Sequence, residues 1–384
     1  MRAGFQYFPE NFMWSQGMMI VIEMARWGGS AMSEVDRVGR RLKDKVGDNE
    51  AWGVEWEKEA RRIEDMGDAA QKEGFALSAA GHYLRAATYY FVGERFVQLG
   101  SKKTELYQSC LRCFRLGIKD RYPNIERVEV PYVHEGKSTT LPAWFMKAPG
   151  AKPAPTVCFF DGLDSTKELS ILFGGVELAL RGIHTLAIDG PGQGEALRLQ
   201  NIPSRPDYEV PGAAAYDYLA ARPDVDARRV AVMAYSMGGY YAPRVAAFEK
   251  RFAACIAWGG HYDYHATWIT RRKILESGGN RVSAPHFQLP WVMGMPDMDT
   301  AMKKCEAYKL EGVADKITCP FLVTHGEEDS ISPVANARLL YDAVSSQKKT
   351  LKIFTAEEGG AEHCQGDNRF LGATYVADWI AANL

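Results

Sequence analysis

An apolar run that stops at a serine set among small residues constrains this chain more than any other feature. Residues 230–235 have the composition of a buried strand, Ser236 follows directly, and a helical pattern starts at Gly239. A sharp strand-to-helix turn strains the backbone of its central residue and leaves room for small neighbours alone, here Ala234 and Gly238. A serine that merely caps a helix gives a similar local pattern. We interpret Ser236 as a candidate nucleophile.

The rest of the chain supplies the partners that such a serine needs. A serine hydroxyl is a poor nucleophile at neutral pH unless a histidine takes its proton and a carboxylate orients that histidine. Asp329 lies in a loop after one predicted strand and His363 follows the next, while Glu327 and Glu328 are neighbouring alternatives for the acid. The order serine, acid, histidine is that of α/β-hydrolases, so Ser236, Asp329 and His363 are predicted to form a catalytic triad.

The loop after the predicted strand 156–161 is expected to complete the site. An oxyanion hole needs two backbone N–H groups, one from the residue after the nucleophile and one from such a loop. Met237 and Leu163 are the predicted donors. Asp164 would then place a carboxylate beside the oxyanion hole. Either it accepts a proton from a substrate hydroxyl, or it is a loop aspartate favoured by the dipole of the following helix.

From residue 127 onward, short β-rich runs separated by Gly, Pro and Asp alternate with helical stretches. Eight strands are predicted, at 128–133, 141–147, 156–161, 184–189, 230–235, 254–258, 321–324 and 351–355. Helices are predicted at 167–181, 212–221, 239–250, 334–344 and 370–382. This order predicts an α/β fold with an open, mostly parallel sheet that opens on an antiparallel pair. Residues 262–313 fit no strand-helix step and are interpreted as an insertion that shapes the substrate pocket.

The first third of the chain has a different texture. Its apolar and aromatic residues recur at three- and four-residue spacing, which predicts helices from about Trp56 to Lys72 and from about Glu73 to Phe96. We interpret residues 1–125 as a helical N-terminal cap domain and 126–384 as the catalytic domain. The aromatic stripe is most simply a core, and Tyr83 on it is a candidate substrate contact.

The composition limits which classes of partner this chain can bind and indicates the compartment in which it works. A net charge of -2 over 384 residues argues against nucleic-acid and anionic-membrane surfaces, which require clustered cations. The most apolar early stretch, 18–22, is too short to span a membrane. Seven cysteines, an odd count, without a leader-like start indicate a reducing, cytoplasmic compartment. We expect a small-molecule substrate.

Three motifs imitate cofactor or metal sites. The stretch D-G-P-G-Q-G-E at 189–195 follows a strand, but a dinucleotide fingerprint needs a small residue where Glu195 stands. Cys110 and Cys113 lack the second cysteine pair of a zinc site. A helical i,i+4 histidine pair lacks the glutamate of a metalloprotease motif. No metal or cofactor is expected, and that pair and a nearby tryptophan are predicted to line the pocket: His261, His265 and Trp268.

The stretches G-L-D-S-T-K-E (162–168), D-G-P-G-Q-G-E (189–195) and Y-S-M-G-G-Y (235–240), with the pair Glu362 and His363, resemble the α/β-hydrolase group that includes the fermentation-respiration-switch-like proteins. The resemblance implies a carbon-carbon bond hydrolase of acyl-aromatic or β-diketone-type ketones, acting through an acyl-enzyme, and a homodimer. It also implies that Asp164 stands where one such enzyme has a functional glutamate. The alternative hypothesis for the function is a carboxylesterase or lactonase, and a third hypothesis is a non-catalytic regulatory partner.

Overall fold

The computed structural model describes residues 5–150, 153–277 and 282–384. These residues fall into two units, each with its own internal contacts. One unit consists of 5–125 and 282–287. The other consists of 126–150, 153–277 and 288–384.

The first unit is helical. Its α-helices are α1 (Phe12–Glu23), α2 (Met32–Leu42), α3 (Asn49–Lys72), α4 (Ala76–Glu94) and α5 (Ser101–Arg121). The two helices expected from the spacing of apolar residues are α3 and α4. α3 starts seven residues earlier than predicted, because the Asp48 side chain accepts hydrogen bonds from the N–H groups of Glu50 and Ala51 and caps the helix there.

Large aromatic side chains form the core of this helical unit. The rings of Trp14 and Trp52 have centroids 4.9 Å apart, and the Trp52 ring lies equally close to that of Phe96. Gly17 makes room for this cluster, since a Cβ there would lie 2.9 Å from the Trp52 ring. The aromatic residues of this region therefore pack as a core.

The second unit is built on one sheet of eight strands: β1 (Ile125–His134), β2 (Lys137–Met146), β3 (Ala154–Phe160), β4 (His184–Ile188), β5 (Val225–Tyr235), β6 (Ala254–Trp258), β7 (Phe321–Gly326) and β8 (Lys349–Phe354). The strand order is β1-β2-β4-β3-β5-β6-β7-β8. β2 runs antiparallel to β4, and the pairs from β4 through β8 are parallel. The predicted α/β fold, with its eight strands and mostly parallel sheet, is confirmed.

The α-helices of this unit are α6 (Lys167–Ser170), α7 (Val176–Ala179), α8 (Gly194–Arg198), α9 (Glu209–Ala220), α10 (Gly238–Phe248), α11 (Tyr264–Glu276), α12 (Gln288–Met293), α13 (Met298–Cys305), α14 (Val334–Ala343) and α15 (Arg369–Asn383). A π-helical turn, Ile171–Gly175, interrupts the helix predicted at 167–181. The insertion predicted at 262–313 contains three of these helices, α11, α12 and α13. Among the described residues, no helix combines the length and the apolar character needed to cross a membrane.

The central parallel strands are buried on both faces, which explains why they are nearly continuous apolar runs. All five residues of β6 and all six of β7 are buried. In the register of the sheet, Phe160 pairs with Ala234 and Tyr235 pairs with Trp258. The carboxyl ends of β3, β5, β6 and β7 therefore meet at one edge of the sheet, where the loops that follow them gather.

Candidate active site

Ser236 lies in the turn between β5 and α10 with a backbone φ of +59°, the strained conformation that the sequence pattern predicts. Its N–H donates to the Trp258 carbonyl at 2.8 Å. A Cβ on Gly238 would lie 2.8 Å from the Asp161 carbonyl oxygen, and one on Gly239 would collide with the Gly259 carbonyl oxygen. Neighbouring strands and loops thus approach so closely that the turn tolerates small residues alone.

The structure brings Ser236, His363 and Asp329 together. His363 Nε2 lies 2.8 Å from Ser236 Oγ, and His363 Nδ1 lies 2.7 Å from Asp329 Oδ2. The neighbouring acids lie elsewhere: Glu327 is exposed and accepts the N–H of Ala356, and Glu328 is exposed too. Asp329 is therefore the carboxylate that contacts the histidine.

The Asp329 carboxylate is saturated with donors. Oδ1 accepts the N–H groups of Ile331 and Ser332, each at 2.8 Å. Oδ2 has a second imidazole beside it, since His325 Nε2 lies 3.2 Å away. His325 is not among the predicted site residues, although it lies in the same H-G-x-x-D stretch as Asp329.

The charges of this group are strongly coupled. Burial alone would raise the pKa of Asp329, but the charges of His363 and His325 and the backbone donors hold it well below its usual value. Burial alone would lower the pKa of His363, but Asp329 raises it to about 10. The pair is thus tuned so that a proton arriving on His363 is stabilised by Asp329.

The loop that carries His363 is fixed by its neighbours. The Asp367 carboxylate accepts three successive backbone N–H groups at 3.0 to 3.1 Å, those of Gly360, Ala361 and Glu362. Trp258 Nε1 donates to Gln365 Oε1 at 2.6 Å. Cys364 and Gln365 have positive φ values of +50° and +54°. These contacts hold an unfavourable backbone conformation directly after the histidine.

The loop of Leu163 passes directly against Ser236. A Cβ on Gly162 would lie 2.7 Å from Ser236 Cβ and 3.2 Å from Ser236 Oγ. Two buried glutamines hold the carbonyl groups of this loop: Gln193 Nε2 donates to Asp161 O at 2.5 Å, and Gln288 Nε2 donates to Leu163 O at 3.0 Å. Met237, the other predicted donor, lies at the start of α10 and is buried.

A buried charge cluster lies beside the loop of Leu163. It includes the two acidic residues of the D-G-P-G-Q-G-E stretch, Asp189 and Glu195, and so gives that stretch a structural role. Lys167 Nζ lies 2.7 Å from Asp189, 2.8 Å from Glu168 and 3.0 Å from Glu195. Asp189 also accepts the N–H of Lys167 at 2.9 Å, at the start of α6. The carboxylates of this stretch therefore face a lysine next to the loop 161–166, which carries the predicted donor Leu163 and is called the oxyanion loop below.

Comparison with known proteins assigns the chain to a family. A model of the prolyl oligopeptidase family matches residues 178–384, a stretch that includes Ser236, Asp329 and His363. The chain is an α/β-hydrolase of this family. This α/β-hydrolase is 30% identical to hydrolase acrC of Aspergillus aculeatus, over 93% of this chain and 92% of that one. It is 34% identical to the α/β hydrolase pydG of an Acremonium species, over 91% and 93% of the two chains.

A solved structure shares the fold of this α/β-hydrolase over nearly its whole length. The crystal structure of 2,6-dihydroxy-pseudo-oxynicotine hydrolase superposes with a TM-score of 0.79, covering 96% of this chain and 95% of that one, at 24% sequence identity. The expected membership in the α/β-hydrolases is confirmed.

Asp164 and His261 lie near the triad of the hydrolase. Asp164 directly follows Leu163 and is half-buried. The His261 ring is buried, with its centroid 6.4 Å from that of His363, and its Nδ1 lies 3.2 Å from Ser332 Oγ. Burial, and then the charge of His363, keep the pKa of His261 well below its usual value. His261 is therefore a neutral imidazole beside the triad.

An aromatic cluster extends from His261 along α11. The rings of His261 and Tyr264 have centroids 5.2 Å apart, and those of Tyr264 and Trp268 are 6.4 Å apart. Tyr264 and Trp268 are both buried. We call His261, Tyr264 and Trp268 the aromatic cluster. The aromatic cluster contains His261 and Trp268, two of the three residues of this region that were predicted to line the pocket.

His265 does not join this cluster. α11 begins at Tyr264, so His261 precedes the helix that carries His265, and the i,i+4 spacing of the two histidines does not place them on one helical face. His265 instead lines a surface depression with Ile269 and Met302. Within residues 5–150, 153–277 and 282–384, no three His, Cys, Asp or Glu side chains are grouped so as to hold a metal ion.

Tyr83 belongs to the helical unit. It lies on α4 with 4% of its surface exposed, and its hydroxyl donates to Asp68 Oδ1 at 2.7 Å. Burial, and then the contact with Asp68, raise the pKa of Tyr83 to about 12. Its phenol is thus a neutral donor, and its contact with a substrate stays a prediction.

Proposed function

We propose that this hydrolase cleaves a carbon-carbon bond of an acyl-aromatic or β-diketone-type ketone through an acyl-enzyme on Ser236. The observation that carries the proposal is the continuous line of contacts from Ser236 Oγ to His363 and from His363 to Asp329, at 2.8 and 2.7 Å. Nucleophile, base and orienting acid are within hydrogen-bond reach of one another, which is the geometry that acyl transfer needs.

The first half-reaction forms the acyl-enzyme. His363 Nε2 takes the hydroxyl proton of Ser236 as Oγ bonds to the ketone carbonyl carbon, and the N–H groups of Leu163 and Met237 stabilise the oxyanion. The carbonyl then re-forms as the carbon-carbon bond breaks, with its electron pair on the departing carbon. That carbon receives the proton from the His363 imidazolium and leaves as a neutral molecule.

Water completes the cycle. His363, neutral again, takes a proton from a water molecule whose oxygen attacks the acyl-enzyme. The second tetrahedral intermediate collapses, the Ser236 oxygen recovers its proton from His363, and a carboxylic acid is released. Each turnover thus consumes one water and converts one ketone into an acid and a compound with a new C–H bond.

Asp164 supports a carbon rather than an oxygen leaving group. A carbanion leaves only when an adjacent electron-rich ring or carbonyl group spreads its charge. The Asp164 carboxylate, next to Leu163, is suited to accept a hydrogen bond from a ring or enol hydroxyl and so increase that electron density. The stretches 162–168 and 189–195, which carry the resemblance to carbon-carbon bond hydrolases, support the same proposal.

A carboxylesterase or lactonase is the alternative. The triad and the oxyanion loop suffice for it, since an alkoxide leaves an ester without help from Asp164. The test is to supply the purified enzyme with an acyl-phloroglucinol ketone and with aryl esters of the same acyl chain, before and after Asp164→Asn. We expect the variant to lose about a hundredfold or more in kcat/KM on the ketone and far less on the esters. Turnover of esters alone by the unaltered enzyme would favour the alternative.

A non-catalytic regulatory role is the third reading, and it predicts that Ser236 does not react with a fluorophosphonate probe. We also propose that the protein is a cytoplasmic homodimer whose partner is a small molecule rather than nucleic acid or a membrane. Light scattering of the purified full chain tests the dimer, and fractionation of the source cells tests the compartment.

A further inference from the structure

Arg271 is a buried cation that has no carboxylate beside it among the residues that the structure describes. It lies on α11 with 6% of its surface exposed. Among the described residues, its guanidinium bonds to the Ile331 carbonyl oxygen, which lies 3.4 Å from Nε and 3.3 Å from Nη2. No described Asp or Glu pairs with it, and the residues outside the described ranges carry no carboxylate side chain. One carbonyl oxygen at these long hydrogen-bond distances compensates poorly for the desolvation of a buried charge.

The nearest buried acid of the active site is already engaged. The Asp329 carboxylate already has four polar neighbours, two backbone N–H groups and the imidazoles of His363 and His325. Arg271 is not one of them. Since isolated charges in a protein interior are strongly disfavoured, the guanidinium is suited to an anion that arrives from solution.

Arg271 adjoins the aromatic cluster that begins beside the triad. Its guanidinium carbon lies 4.7 Å from the centroid of the Trp268 ring, and the cluster continues through Tyr264 to His261. Burial raises the pKa of Tyr264, the Arg271 charge lowers it, and the Asp164 charge raises it. Two opposite charges therefore act on one phenol, a carboxylate on the oxyanion loop and a guanidinium further along α11.

We propose that Arg271 binds a carboxylate group of the substrate. The reacting carbonyl carbon of that substrate would lie at Ser236, and its carboxylate would lie at the far side of the aromatic cluster. The planar guanidinium matches a carboxylate through two parallel N–H donors, and Trp268 covers its face. The proposal rests on the hydrolase function proposed above and narrows its substrate to an anionic one, such as a keto acid.

A matched pair of variants tests this site. Arg271→Gln removes the buried charge, and Arg272→Gln removes the neighbouring exposed charge, which pairs with Glu276 and Asp299. The probes are 4-nitrophenyl half-esters of dicarboxylic acids of increasing length, each compared with its ω-methyl ester at neutral pH. The unaltered enzyme should prefer the acid at one chain length by about tenfold or more in kcat/KM, the usual worth of a hydrogen bond to a charged group.

In Arg271→Gln this preference should fall to about one, and in Arg272→Gln it should persist, because an exposed ion pair contributes little. Equal rates on acid and methyl ester in the unaltered enzyme at every length would overturn the proposal. An equal loss of kcat/KM on the acid and the methyl ester in Arg271→Gln would also overturn the proposal. The residue would then only stabilise the backbone at Ile331, whose carbonyl oxygen it contacts.

Calorimetric binding to Ser236→Ala separates this proposal from the proposed reaction. A preference of Ser236→Ala for the acid over the methyl ester that disappears on adding Arg271→Gln upholds the anion site, even where the unaltered enzyme hydrolyses neither probe. The absence of that preference overturns the site, whatever the activity of the enzyme.

Discussion

His325 Nε2 lies 3.2 Å from Asp329 Oδ2, and neither side chain is exposed. The same oxygen lies 2.7 Å from His363 Nδ1, so two imidazoles share one carboxylate oxygen. His325 Nε2 also lies 2.7 Å from the Ser332 carbonyl oxygen, which can only accept, so Nε2 carries the hydrogen. His325 therefore donates to the Ser332 carbonyl oxygen, and the same N–H edge of its ring lies beside the Asp329 carboxylate.

His325→Leu should lower kcat about tenfold, because it leaves the buried Ser332 carbonyl oxygen without its donor in the loop that positions Asp329, and should move the acid limb of the kcat/KM profile to higher pH. Without the polar edge of His325 beside it, the charge of Asp329 acts more fully on His363 and raises the pKa of His363. His325→Gln, which keeps an N–H donor, should move the limb less. A lower rate with an unmoved limb would mean that His325 only fills space.

Asp329→Asn should lower kcat about ten-thousandfold, because His363 loses both its orientation and the charge that stabilises its protonated form. Glu327→Gln, at an exposed acid two residues away, is the matched control and should keep its activity. Steady-state kinetics on one ester substrate compares the two variants. Similar losses in both, or a large loss in Glu327→Gln alone, would contradict the choice of Asp329.

The pH profile should carry the signature of the pair. Although burial lowers it, the Asp329 charge raises the pKa of His363 to about 10. Only neutral His363 can take the Ser236 proton, so kcat/KM should rise with pH and its acid midpoint should lie above the ordinary histidine value of about 6.5. In Asp329→Asn the midpoint of the residual activity should fall toward that value. Identical midpoints in the two proteins would contradict this coupling.

Asp161 should make the fold less stable as pH rises. It is fully buried, and burial and then the charge of Asp189 raise its pKa well above the usual value. In the unfolded chain it ionises near pH 4, while the folded state keeps the proton, so stability falls above that pH by up to about 1.4 kcal/mol per unit. Urea unfolding at pH 5 and pH 8 should show Asp161→Asn gaining on the unaltered protein at pH 8. An equal difference at both values would refute this.

Gly162→Ala should lower kcat about a hundredfold or more by displacing the oxyanion loop from Ser236. The new Cβ would lie 2.7 Å from Ser236 Cβ and 2.9 Å from the Tyr235 carbonyl oxygen. Gly81→Ala on α4 is the control, since its Cβ would lie 3.9 Å from the nearest atom, Arg85 Nη1. That variant should keep its activity and gain up to about 1 kcal/mol in stability. Full activity in Gly162→Ala would show that the loop can move.

The fold could be predicted because buried parallel strands are continuous apolar runs, and β6 was predicted with the bounds that the structure shows, Ala254–Trp258. Tertiary packing decided what the pattern could not. Gly174 lies against the Phe159 ring in the π-helical turn, which no helical periodicity reveals. α11, α12 and α13 were missed because they are set among Pro and Gly residues and α12 itself contains Pro290.

The triad was predicted from its order along the chain, whereas the residues that hold it in place depend on which loops meet. Gln288 contacts Leu163 across 125 positions of sequence, and no local pattern links them. Arg271 is one of several basic residues on α11, and its burial alone distinguishes it from Arg272. The i,i+4 spacing of His261 and His265 is typical of one face of a helix, but His261 lies before α11, and the sequence alone does not show where that helix begins.

Mass spectrometry of the enzyme quenched during turnover of an acyl-phloroglucinol ketone would detect the acyl-enzyme itself. We expect the peptide containing Ser236 to gain the mass of the acyl group while the free phloroglucinol ring appears in solution. Ser236→Ala should show neither the adduct nor the ring. Release of the ring by Ser236→Ala at the rate of the unaltered enzyme would show that Ser236 does not attack the ketone.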